Sequence, residues 1–504
     1  MRAKIVSCGL LVASVVGGQA SRRDAHELLH RAMEAQGGEQ VLRSIRAIRF
    51  EASGYRNELE QSERPEGPYV TEFNEIAETH DQAQHRSRSV VKTRVPGMYE
   101  FETVTVVANG RAALMRGGRA ASANLGMVQA GTEKLALSPE RLLITASDAP
   151  DVHLEADTVL HSLPQHVVAF SLDGAPVKIY LNAYTLVPTA VDYSGPLAAT
   201  GFWAYRGDVT MRTWYGTWWL AKGGVRIPLQ ANVEHNGQAD SMSMISKLEI
   251  DPEIGDADFA ISEESARQFR NEVVRLDDFP LGKKVSEIAR GVVQIEGAWN
   301  VGLVRQGDGI VVLEAPISSG YSAKVIEEAG RRWPGMRIKA VVTTSDSWPH
   351  IAGIREYAAR GIPIYALDLN RAVLNGLLGE SRTRRPDLYA GAPKGPQFTW
   401  VKDRTEIGSG QNRISLFPLR GETTERQMMA YFPELRLLYG SDAFQQRADK
   451  TFFVPETVSE LLAAVAREQL PVERFFMMHV GVTPWADLGD AVARAKEMQT
   501  PNGS

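Results

Sequence analysis

Residues 341–361, "VVTTSDSWPHIAGIREYAARG", read as a strand that stops abruptly and a helix that begins at once, with Ser345, Asp346, Ser347 and His350 packed into the joint. In layered α/β sheets, chemistry collects where strand ends turn toward helix N-termini. Three more loops in the same half of the chain fit that description: 420–424, 441–443 and 479–485. The histidines are unevenly shared. Eight of the ten (His26, His30, His80, His85, His153, His161, His166 and His235) lie before residue 236 without regular ligand spacing, and only His350 and His479 follow. An imidazole can move a proton near neutral pH or ligate a metal, whereas the hydroxyls of Ser345 and Ser347 are poor zinc ligands. The lone Cys8 sits at the extreme N-terminus, so the rest of the chain offers no thiolate ligand and no disulfide.

The elements that must position these loops come in a recognisable order. "VVQIEGAWNVGLVRQGDGIVVLEAP" predicts a β-hairpin closed at "QGDG", "SSGYSAKVIEEAGRRW" a helix, and "RIKAVVTTSD" a strand. Then come a helix over 350–360, strands "IPIYALD" and "RISLFPLRG", a helix near 423–431, strand "LRLLYGSDAF", helix 456–468, strand "ERFFMMHVG" and helix 484–497. Hairpins followed by alternating strands and helices predict a layered domain with helices covering the sheet faces.

Four stretches, in the right order over roughly 285–495, resemble the metallo-β-lactamase-fold hydrolases. "TTSDSWPHIAGI" aligns with that family's metal-binding loop, T-H-x-H-x-D-H-x-x-G; "LRGETTERQMMAYFPELRLLYGSDAF" with its G-H-T segment and the strand ending in G-D; "MMHVGVTPWADL" with its terminal G-H-G-x-x-x-x-W; and the 292–316 hairpin with its opening strands. The resemblance implies a four-layer αβ/βα domain and two zinc ions bridged by an aspartate and a hydroxide. Position by position, the chain departs from that set. Ser345 and Ser347 stand where the first two histidines belong, Glu422 replaces the third, and Pro349 takes the place of the loop aspartate.

His350, Asp442 and His479 keep ligand types at the positions of the family's second pocket and bridge, which implies at most one Zn(2+). Glu422 would assist as fourth ligand or general base, and Asp346 would serve as a substitute carboxylate. The residues also admit other roles. His350 would close a turn after Pro349, His479 would be satisfied by one hydrogen bond at a strand end, Glu422 would cap a helix near Thr423, and Trp348 would narrow the former metal cavity. Asp487 and Trp485 suit the first turn of the last helix after Thr483 and Pro484.

The first half has a different grammar. Residues 24–45 carry apolar residues at helical spacing, and thereafter segments such as "YEFETVTVVANG" and "VKIYLNAYTLVPTAVDYS" alternate in period two between Gly, Asn, Asp and Pro turns. These predict a curved antiparallel β domain wrapped over a helix, which faintly resembles the half-barrel of periplasmic lipoprotein-carrier domains. Trp214, Tyr215, Trp218 and Trp219 line its groove or fill its packing. Residues 1–20 read as a cleaved signal peptide, with Arg2 and Lys4 before a short apolar run and a small-residue site before Ser21.

The expected organisation is α+β: signal peptide 1–20, antiparallel β domain with N-terminal helix 24–260, linker 261–284, and metallo-β-lactamase-like domain 285–497. A net charge of −5 without a basic stripe argues against nucleic acid, and no later run is long and apolar enough for stable membrane insertion. Two functions fit a periplasmic or secreted protein of this kind. One is a hydrolase of ester or amide-type bonds acting on a small-molecule or lipid-like substrate. The other is a catalytically inactive pseudoenzyme that binds an apolar ligand.

Overall fold

The computed structural model describes residues 9–59, 69–95, 99–195, 206–221, 223–391, 393, 395–446, 452 and 454–499. Residues 1–8, and with them the basic start of the expected signal peptide, lie outside it. From Gly9 to Gln36 the chain is one helix, whose Ala25, Leu28, Leu29, Ala32 and Met33 are buried at helical spacing.

That helix packs on a sheet of thirteen strands. One edge is Arg119–Ala121, and the strands meander back to Ala47–Asn57. This strand pairs antiparallel with the distant Gln238–Ile250, from which the sheet meanders on to His153–Leu160 at the other edge. Val168, Phe170, Val177, Ile179 and Leu181 face the helix and share a core with Leu142, Leu143 and Ile144. The antiparallel sheet follows the period-two pattern. The sequence reading did not anticipate two further helices, Leu125–Ala136 and Leu142–Asp148, between the sheet's two wings. Of the aromatic cluster, Trp214 packs with Val167, Tyr180 and Ala190 and stacks on His161 at 4.3 Å, and Trp219 is exposed. Within 261–284 the chain forms short pieces, of which Phe269–Arg270 adds parallel to Ala123–Asn124.

The second half is built from a seven-stranded and a six-stranded sheet. Both are mixed. In the first, Lys284–Ala289 through Gly309–Leu313 pair antiparallel, and Ile338–Thr343, Ile364–Leu367 and Phe398–Val401 continue parallel. The central runs read as continuously apolar because those strands are covered on both faces, whereas the edge strands Lys284–Ala289 and Phe398–Val401 are partly exposed. Val293, Ile295, Val312 and Val341 point to helices, and Val292, Val311, Leu313 and Val342 point to the second sheet. On the far side, Phe417, Met429, Phe475 and Met477 pack on the helices Pro455–Arg467 and Trp485–Gln499 through Val458, Leu461 and Leu488. The layers are therefore helix, sheet, sheet, helix.

The helix expected near 423–431 is instead a turn followed by the strand Met428–Phe432, paired on both sides. "ERQMMAYF" is rich in helix formers, but a five-residue apolar run fits a covered strand as well, and sheet pairing decides. Trp348 lies in the helix-side core edge-on to Trp299, ring centroids 4.6 Å apart, instead of narrowing a cavity.

Candidate functional site

Four strand ends, two from each sheet, deliver the polar groups of the site. Glu314 follows Gly309–Leu313, Thr344 follows Ile338–Thr343, Ser441 and Asp442 follow Leu437–Tyr439, and His479 bridges Arg474–Met477 and Val480–Pro484. Backbone bonds fasten the loops to one another: Ala315 N–H donates to His350 O, Met428 N–H to Thr344 O, and Met478 N–H to Ser441 O.

The sequence reading placed His350, Asp442 and His479 in one site, and the structure brings all three together. His479 Nε2 lies 2.9 Å from Asp442 Oδ1, and His350 Nε2 lies 4.0 Å from Asp442 Oδ2. Glu314 was not foreseen. Its carboxylate lies 2.9 Å from His350 Nδ1, and both side chains are fully buried. Thr344 completes the cluster, with its hydroxyl bonded to Glu314 and to Ser441 Oγ at 2.7 Å. Glu314 has φ of 78°, a backbone conformation that costs a non-glycine residue on the order of 1 kcal/mol and collects at functional sites. The sequence signal was a carboxylate closing the apolar run "GIVVLE", which looks like an ordinary strand end.

Burial alone would depress the His350 imidazole, but Glu314 and then Asp442 outweigh it and hold its pKa up at about 10. Burial works against the charged form of Asp442 as well, yet His350 and His479 keep its carboxyl well below the usual range. Tyr439, beside Glu314, is pushed far up by burial and by that carboxylate. At neutral pH the row therefore holds a His350 cation and an Asp442 anion, with the Glu314 carboxyl against the buried side of His350 and His479 at the open end.

The other two expected site residues stand apart from this row. Glu422 is exposed; its turn is clamped by Glu460, which accepts from Thr423 N at 3.0 Å and Thr424 N at 2.9 Å. Asp346 is buried and turned toward Arg426, whose Nε lies 3.7 Å from its Oδ2. Ser345 and Ser347 are buried beside each other, with Ser347 N–H donating to Ser345 Oγ at 3.3 Å.

The donor types of His350, Asp442 and His479 suit zinc, but their arrangement does not. Zinc bonds of about 2.0–2.2 Å at tetrahedral angles set donor atoms about 3.4 Å apart. The two observed separations, 2.9 Å and 4.0 Å, miss on opposite sides. Among the described residues, no group of three or more His, Cys, Asp or Glu is placed to hold a metal ion.

His479, with about a third of its side chain exposed, opens onto a cavity of about 590 Å³ lined also by Phe444, Gln445, Val480, Thr483, Asp487 and Ala491. That volume is in the range of small-molecule sites.

No protein-family model and no curated protein matches the chain. Solved structures that resemble it include the DIM-1 metallo-β-lactamase, at 13% identity over 43% of this chain and 98% of that one, TM-score 0.34. Another is the metallo-β-lactamase FIM-1 from Pseudomonas aeruginosa in its mono-zinc form, at 13% identity over 45% and 99%, TM-score 0.35. The inverting sec-alkylsulfatase Pisa1 from Pseudomonas sp. aligns at 12% identity over 43% of this chain and 41% of its own, TM-score 0.32.

Proposed function

We propose that the protein is an exported two-domain hydrolase of ester or amide-type bonds, and that its chemistry is carried by the Asp442–His479 pair without a metal ion. The observation that supports this most directly is the 2.9 Å contact between Asp442 and His479 Nε2 at the wall of a cavity. With Nε2–H directed at Asp442, Nδ1 is the free base. Glu314 backs His350 from its buried side, and His350 together with His479 keeps Asp442 ionised.

In the proposed reaction, water in the cavity gives its proton to His479 Nδ1 as its oxygen adds to the substrate carbonyl. The resulting tetrahedral adduct collapses, the bond to the leaving group breaks, and the imidazolium returns the proton to the departing oxygen or nitrogen. Asp442 holds the ring in one tautomer and stabilises its cation. Phe444, Val480 and Ala491 offer apolar contact to the substrate, and Gln445 and Thr483 offer hydrogen bonds.

Export rests on residues 1–20. Cleavage there leaves intact the packed part of the first helix, Ala25–Met33. Among the described residues, no helix is long and apolar enough to cross a membrane.

The test uses chromogenic esters and anilides with the full-length protein, its His479→Ala and Asp442→Asn variants, and a chelator or added zinc. The expected result is turnover indifferent to chelator and zinc and lowered about 10²- to 10⁴-fold in His479→Ala. Turnover that needs stoichiometric zinc would replace this reading with a mononuclear site on His350, Asp442 and His479. No turnover, together with ligand-induced thermal stabilisation, would make the protein a binding pseudoenzyme.

A further inference from the structure

The thirteen-stranded sheet contributes none of the four residues at the site, yet it is fastened to the second half at one place by contacts far more specific than a tether requires. Asp208, next to the strand Val209–Leu220, accepts from Thr383 N and Thr383 Oγ1, both at 2.6 Å, from Ser381 Oγ at 3.1 Å and from Arg384 N at 3.3 Å. Its own N–H donates to Ser381 O at 3.0 Å. Arg206 Nη1 reaches Glu380 Oε1 at 2.8 Å across the same joint, and Arg384 Nη2 returns to Gly174 O at 3.1 Å.

Gly207 lies between the two gripping residues with φ of 94°, and a Cβ there would stand 2.5 Å from Arg382 Cγ and 2.7 Å from Ser381 O. Only glycine allows so close an approach.

The gripped segment is held from its other side by Arg355. This guanidinium, almost wholly buried, binds Asp387 through Nε at 2.6 Å and Nη2 at 3.0 Å, and its Nη1 donates to Leu377 O at 3.1 Å, Leu378 O at 2.9 Å and Glu380 O at 3.4 Å. Arg355 belongs to the helix Ile354–Ala359, which follows directly on Trp348–Ile351, the turn that carries His350. The two helical pieces are tied to the Glu314 loop by Gly353 N–H donating to Ala315 O at 2.8 Å. A continuous hydrogen-bonded path thus runs from the large sheet to the buried end of the site.

We propose that the thirteen-stranded sheet is a positioning element for the His350 site, acting through a polar seam in which residues 206–208 grip residues 380–384 and Arg355 carries that grip to the helix behind His350. Arg355 and Asp208 are positioning residues; neither touches a molecule in the cavity. The grip of Asp208 on Ser381 and Thr383 is exposed, but the charged cluster beneath it is largely buried: Arg206, Arg355 and Arg382 face Glu380 and Asp387, with Asp277 nearby. Burial drives the Glu380 carboxyl up to about 7 against the pull of Arg206, Arg382 and Arg355. A seam of this kind is satisfied in one register only, because sliding it leaves several buried charges unpaired.

The test uses full-length protein carrying Gly207→Ala, which wedges the seam, or Thr383→Val, a milder change that removes one hydroxyl donor to Asp208. Amide hydrogen exchange is followed in peptides covering 377–387, 348–359 and, as a control within the sheet, 74–82. The expected result is exchange faster by about tenfold in both 377–387 and 348–359, with 74–82 as in wild type. If 377–387 loosens while 348–359 exchanges at the wild-type rate, the path through Arg355 does not exist and the proposal is overturned; wild-type rates in both overturn it as well. The functional half of the idea rests on the hydrolase reading. It predicts that kcat falls in the variants while KM stays within about twofold, since the cavity walls are untouched. Absence of turnover in wild type would sink that reading alone, and the exchange data would still decide the coupling.

Discussion

At the scale of single residues, the candidate site is a row of alternating carboxyl and imidazole groups, and its buried end bears the most energy. Glu314 and His350 are both cut off from water, so each is tolerable only because of the other. Glu314→Gln should cost about 3–5 kcal/mol by urea unfolding, because it takes the carboxyl partner from a fully buried imidazole. A loss below about 1 kcal/mol would show that the pair is not charged as described. His350, Asp442 and His479 were legible because they keep ligand types within motif-like surroundings. Glu314 was not, since nothing in "VVLEAP" distinguishes a carboxylate folded back onto a histidine from one facing water. Glu422 misled for a related reason. Its position in the alignment is that of a ligand, whereas its actual turn is organised by Glu460, a residue thirty-eight places further along the chain.

At the scale of elements, period and length carried most of the reading. Strands covered on both faces stood out as unbroken apolar runs, and the amphipathic helix Pro455–Arg467 stood out by its spacing. The failures came where local preference and sheet pairing disagree, as in Met428–Phe432. The 421–427 turn before that strand depends on Glu460, whose two oxygens accept from the N–H and hydroxyl groups of both Thr423 and Thr424. Gly421 is pressed against the same carboxylate. Glu460→Ala should therefore destabilise the protein by about 1–3 kcal/mol, readable as a lower melting temperature. Limited proteolysis should cut first within 420–427, and an unchanged digestion pattern would show that the turn holds its shape without the clamp.

At the scale of the whole molecule, the change of grammar between the halves could be read from the sequence. The way the halves meet could not, because Arg206, Asp208 and Ser381–Arg384 look like ordinary polar turns until their partners are known. A second buried charge cluster, remote from the site, adds to the pH dependence of stability that His350 confers. His80 sits between Glu78 Oε2 at 3.0 Å and Glu140 Oε1 at 3.2 Å, and these join the strand Thr71–Asp81 to the turn between the two short helices. Burial opposes its charge, but Glu140 and Glu78 prevail and raise its pKa from 6.5 to about 9. A pKa raised on folding gives stability that is fully present below pH 6.5 and fades as pH rises through 9. Chemical unfolding at pH 6 and pH 10 should differ by on the order of 3 kcal/mol from this group, and His80→Gln should reduce the slope by that share while leaving the part that His350 contributes. A variant with the wild-type slope would move the responsibility elsewhere.

The pairing of Ala47–Asn57 with Gln238–Ile250 sets Ile48 opposite Ile250 at the middle of the large sheet. Each wing is a run of neighbouring hairpins that can zip as soon as its own residues are available, but the central ladder must wait until some two hundred residues have left the ribosome or crossed a translocation pore. Until then both wings carry a bare inner edge able to recruit any passing strand. Chains that stall or are cut before residue 238 should accumulate as aggregates or chaperone clients, while cuts beyond residue 250 should leave the sheet closed.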